Sequence, residues 1–98
     1  MKLAQYSFSG FFIPANNIGS NAIFSPIPCI YSIDQYGEEL DIVVRETLSG
    51  GYRECTLLYI GENIPSLAKR IQIQFMQVYD VIVDENSIKQ LLRAIHFL

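Results

Sequence analysis

The chain has 98 residues, half of them hydrophobic and 17% charged, which leaves room for one domain and excludes intrinsic disorder. Seven basic against ten acidic residues give a formal charge of -3, the wrong sign for a binder of phosphate backbones, which carries a basic face. A single histidine and two cysteines leave little material for metal or nucleophile chemistry.

In chain order, Lys2 to Phe8 reads as a first strand, and Gly10 to Pro28 as mostly loop with room for a short strand at Asn21 to Ser25. After Pro26 and Pro28, Cys29-Ile30-Tyr31-Ser32-Ile33 is the next strand, and Asp34-Gln35-Tyr36-Gly37 has the residues of a turn. Leu40, Ile42, Val44 and Leu48 then alternate with Asp41, Val43, Arg45 and Thr47, the period of a half-buried strand. Cys55, Leu57 and Tyr59 alternate in the same way over Arg53 to Ile60. The Gly50-Gly51 pair between the two runs supplies the positive φ angles of a tight hairpin turn. Sequential strands tend to be neighbours, so a meander around this central hairpin follows.

Asn63-Ile64-Pro65 opens a helix, with a capping side chain and a proline in the first turn. Ile64, Ala68, Ile71, Phe75, Val78 and Ile82 keep helical spacing, yet Ile71, Ile73 and Phe75 alternate and Val78 to Val83 is rich in β-branched residues. The expectation is a short helix over Ser66 to Gln72 and a strand over Gln74 to Val83, with one long helix as the alternative. Ser87 and Gln90 have the spacing of a capping box, and Ile88, Leu91, Leu92 and Ile95 form one apolar stripe on a C-terminal helix. The sum is a single α+β domain over residues 1–98, an antiparallel sheet covered on one side by one or two helices.

No apolar run approaches the roughly 20 residues of a spanning helix. Gln5, Ser7, Ser9 and Gly10 also interrupt the apolar core that a secretory signal needs. The expected compartment is therefore the cytoplasm, where Cys29 and Cys55 serve as free, buried thiols.

No catalytic set emerges from the residues present. His96 shares a helical face with Lys89 and Arg93, which fits a small anion-binding face but fits better as cations near a helix C-terminus. The separations of Cys29, Cys55 and His96 bear no relation to zinc-ligand spacing. Gly50-Gly51 lacks the Lys-Ser/Thr of a phosphate loop. The expectation is no enzyme, no cofactor and no metal.

Two uneven features remain. The acids Asp34, Glu38, Glu39 and Asp41 face only Lys2 within residues 1–43, while residues 44–98 balance six bases with six acids. The whole charge excess thus surrounds one turn. Secondly, Leu3 to Ile33 contains no charged residue but holds Tyr6, Phe8, Phe11, Phe12, Phe24 and Tyr31, a mixture that suits either a core or an interface depleted in charge. The leading expectation is a small acidic protein–protein interaction module, an inhibitor or immunity-type protein that neutralises a basic partner such as a toxic nuclease. Asp34, Glu38, Glu39 and Asp41 would pair with basic groups there and Tyr36 would anchor them. Direct nucleic-acid and membrane binding are not expected. The alternatives are a homo-oligomeric or viral assembly subunit using the charge-free segment 3–33, and a small-ligand-binding domain.

Overall fold

A computed structural model describes residues 4–15 and 26–95. In chain order these form β1 (Ala4–Pro14), β2 (Ile27–Tyr36), β3 (Glu39–Glu46), β4 (Tyr52–Leu58), α1 (Ile64–Tyr79), β5 (Val81–Val83) and α2 (Glu85–Ile95). The strands make one antiparallel sheet in the order β4-β3-β2-β1-β5, which curls. This is the α+β meander with a C-terminal helix that the alternation pattern implies. Both helices pack on the face bearing Phe12, Tyr31, Ile33, Leu40, Ile42 and Val44, all fully buried. The intervening residues point to the opposite face, because strand side chains alternate.

The β3–β4 hairpin is present, but its connection is the five-residue loop 47–51 rather than a tight Gly-Gly turn. Gly50 takes the positive φ of 77° and donates its N–H to the Glu46 carbonyl at 2.9 Å, while Glu46 N–H reaches the Gly51 carbonyl at 2.8 Å. Leu48, which the alternation assigns to the strand, lies in this loop and is 87% exposed. The expected turn at Asp34 to Gly37 is narrower too. Asp34, Gln35 and Tyr36 stay in β2, and the chain reverses at Gly37, φ 63°, and Glu38.

β1 is longer than expected and runs through Gly10 to Pro14, residues assigned above to a loop. Gly10 is needed there. A Cβ at that position would lie 2.8 Å from both the Tyr31 ring and Ser87 Oγ. Tyr31 passes over this glycine to donate its hydroxyl hydrogen to the Phe11 carbonyl at 2.5 Å, and the same oxygen accepts the Asp84 N–H at 2.9 Å. In the β1–β5 register Phe12 faces Val83, so Phe11 and Asp84 would be the next pair, and the phenol bridges them. The expected strand at Asn21 to Ser25 lies outside the described residues.

Residues 64–79 form one helix, which corrects the expected break after Gln72. Asn63 caps it by accepting the Ser66 N–H at 2.9 Å. Leu67, Ala68, Ile71 and Phe75 bury one helical stripe, and the alternating Ile73 is left half-exposed. Burial of that stripe outweighs the β preference of single residues, since propensity is weak beside tertiary packing. Asp80 in the left-handed conformation, φ 60°, ends the helix, leaving only Val81–Val83 as strand. α2 likewise starts two residues before the expected capping box. Asp84 Oδ2 accepts from Ser87 N–H at 3.1 Å and from Ser87 Oγ at 2.7 Å, so the cap is Asp84 and not Ser87.

Candidate interaction face

The face of the sheet turned away from the helices carries three cross-strand rows near the β2–β3 turn. Strand register sets Tyr36 beside Glu39 and Glu39 beside Leu58. The next row is Asp34, Asp41 and Thr56, and the one after it Ser32, Val43 and Glu54. Asp34, Tyr36, Glu39 and Asp41 therefore share one face, and Glu38 projects from the turn at its end. The sequence reading missed Glu54, Thr56 and Leu58. Their signal was the hairpin register, which a loop of unknown length left open by several residues.

Tyr36 and Leu58 are 40% and 58% exposed, two apolar groups flanking the carboxylates. Thr56 Oγ1 donates to Asp41 Oδ1 at 3.2 Å. Glu54 shares a hydrogen bond with Asp41, and that bond together with the Asp41 charge holds the Glu54 carboxyl above its ordinary pKa. Two carboxylates side by side repel, which makes the protonated form of one more favourable.

Four basic groups of the described residues pair elsewhere. Arg53 pairs with Glu46 at 3.0 Å, Arg70 with Glu62 at 2.8 Å, and Lys89 with Glu85 at 2.6 Å, with Lys69 farther from Glu85 at 3.9 Å. None of these ion pairs takes up Glu38, Glu39, Asp41 or Glu54. Arg45 lies on the same sheet face but stacks 5.0 Å from the Tyr52 ring centroid and donates to the Gly50 carbonyl. It marks the opposite end of that face.

Other candidate sites have different surroundings. Cys29 and Cys55 are free and buried, and burial raises their thiol pKa values to about 11 and about 12. Such thiols are poor nucleophiles at neutral pH. Lys89 of the expected cationic face is tied to Glu85, and His96 lies outside the described residues. Among the described residues, no group of three or more His, Cys, Asp or Glu side chains is placed to hold a metal ion, and no helix is long and apolar enough to cross a membrane. The charge-free segment divides between core and surface. Phe12 and Tyr31 are fully buried and Phe8 packs against the core, Tyr6 and Phe11 are exposed, and Phe24 lies outside the described residues.

One groove of about 490 Å³ runs between α1 and β5, lined by Gln72, Ile73, Met76, Gln77, Ile82 and Val83. Its size suits a small ligand, but it lacks the convergent charged groups that would specify one. Compared with known proteins, the chain matches no family model, no curated sequence and no solved structure.

Proposed function

We propose that the chain is a protein–protein interaction module whose uncovered sheet face docks on a basic partner, in the manner of an inhibitor or immunity-type protein. The observation that carries this reading is the register that gathers Asp34, Glu39, Asp41 and Glu54 on three adjacent strands between Tyr36 and Leu58. Lys or Arg groups of the partner would sit among the carboxylates, while the exposed tyrosine and leucine exclude water at the edges. The crowded Asp41 and Glu54 carboxylates cost the free protein some stability, and a basic group of the partner would relieve that cost in the complex.

The test takes a basic protein encoded beside the gene, or co-purified from the native host, and follows association by stopped flow. Rim charges steer encounter and are screened over about 8 Å at physiological ionic strength. Neutralising Glu38, Glu39 and Asp41 together should slow association and flatten its dependence on salt. Unchanged kinetics would remove the interface from this face.

A further inference from the structure

We propose that the outer edge of β1 pairs antiparallel with β1 of a second copy of this chain, joining two five-stranded sheets across a two-fold axis. The sheet order places β5 beyond β1, but β5 pairs only with Phe12, Ile13 and Pro14. Among the described residues, the edge from Ala4 to Phe11 has no strand beside it. Backbone groups along a strand point alternately to either side. The Ala15 N–H bonds the Asp80 carbonyl on the β5 side, and the Phe11 carbonyl meets the Tyr31 hydroxyl on that same side. The odd residues Ser7 and Ser9 therefore direct N–H and C=O outward, and the even residues Tyr6, Phe8 and Gly10 direct theirs to β2.

A second copy is the occupant that the charge pattern favours. In a two-fold contact each residue meets its own kind or a near neighbour in sequence, so any charge on the contact strand repels itself. The chain carries -3 overall, yet Ala4–Pro14 holds no charged residue. Within Ala4–Pro14 there is also no lysine and no proline before Pro14, two of the devices by which exposed edges are usually blunted. Tyr6 and Phe11, both exposed, flank the serines and add apolar contact on the two faces of the joined sheet. The pairing is independent of the acidic face, so its failure would leave the docking reading untouched.

Sedimentation velocity over a concentration series, combined with amide hydrogen exchange, tests the pairing. The wild type should form a dimer in which the Ser7 and Ser9 amides lose protection on dilution while the Phe8 amide stays protected. Ser7→Pro removes one outward N–H and spares the β2 ladder, as proline is tolerated at such edge positions. It should raise the dimer dissociation constant at least tenfold, whereas Ser7→Ala should leave it unchanged. Should Ser7→Pro unfold the chain, Ser9→Lys serves instead, placing like charges on facing strands. A wild type that stays monomeric at millimolar concentration overturns the proposal. So does a dimer that survives Ser9→Lys, or one in which the Ser7 and Ser9 amides exchange no more slowly than in the monomer.

Discussion

Along β4, α1 supplies side chains to the outward backbone. Arg70 donates to the Leu58 carbonyl, Gln74 to the Thr56 carbonyl, and the Tyr79 hydroxyl both accepts from Glu54 N–H and donates to the Glu54 carbonyl. Along β5 the same helix makes a single such bond, from Gln72 to the Val83 carbonyl, and leaves an apolar groove. On its side away from β2, most of β1 has no described strand beside it. Among the described residues, one margin of the sheet is thus closed by hydrogen bonds from a helix, and the other is closed only at its end. An edge strand is open to pairing unless something covers it, so the contrast separates the margin that α1 completes from the one whose backbone is left open among the described residues.

The largest expected effect comes from loosening the helix that closes the β4 margin. Phe75 is fully buried beneath α1 and anchors it to the sheet. Phe75→Ala should cost about 3–5 kcal/mol in denaturant-induced unfolding, the usual range for a truncated core phenylalanine. A loss below 1 kcal/mol would mean that side-chain bonds to β4, rather than apolar packing, hold the helix in place.

The open margin depends on a different device. Tyr31→Phe keeps the ring but removes the oxygen that joins the Phe11 carbonyl to the Asp84 N–H. Both bonds are part-buried, so the loss should fall toward the lower end of the roughly 1–3 kcal/mol that a buried polar group left without a partner costs. Hydrogen exchange should accelerate at Asp84 before it does in β2–β4. Uniform acceleration across the sheet would show instead that Tyr31 contributes through packing alone.

Legibility in the sequence follows the same division. The alternation of Leu40, Ile42 and Val44 against Asp41 and Val43 has one interpretation, because its period matches strand geometry, and the β3 core positions follow directly. The α2 stripe of Ile88, Leu91, Leu92 and Ile95 is as clear, and all four are buried. Residues 64–83 are ambiguous, because Ile71, Ile73 and Phe75 satisfy both periods and only contact with the curled sheet selects the helix. Gly10 to Pro14 looks like loop, since glycine and proline are poor strand formers. The reason for that glycine is the Tyr31 ring, 21 residues later in the chain. As for the acidic face, Asp34, Glu38, Glu39 and Asp41 are picked out by charge and Tyr36 as the aromatic residue among them. Glu54 joins them only through a register set by the loop 47–51.

On the closed margin, Tyr79→Phe removes both bonds to the Glu54 backbone. These groups are exposed and water can replace the phenol, so the cost should be about 0.5–1.5 kcal/mol, the net worth of an ordinary hydrogen bond. The more telling readout is exchange at the Glu54 amide, which should speed up while Cys55 stays protected by the core. If the variant also self-associates through β4, the helix is what keeps that margin from pairing.

The smallest effect concerns the carboxylates on the uncovered face, and it changes with pH. Folding raises the Glu54 pKa above its ordinary 4.5, through the hydrogen bond to Asp41 and the Asp41 charge. A raised carboxyl favours the folded state while protonated, so this contribution is fully present below the ordinary value and is lost as pH rises through the folded one. At neutral pH the ionised pair is a net repulsion on an exposed surface. Glu54→Gln retains an amide donor for Asp41 and removes one charge. It should raise stability by no more than about 0.5 kcal/mol at pH 7, the usual scale for surface substitutions, and by nothing measurable below pH 4. Thermal unfolding of both proteins across that range gives the difference curve. A flat curve would mean that Asp41 and Glu54 do not interact in the free protein, and that a docking cation finds no crowded carboxylates to relieve.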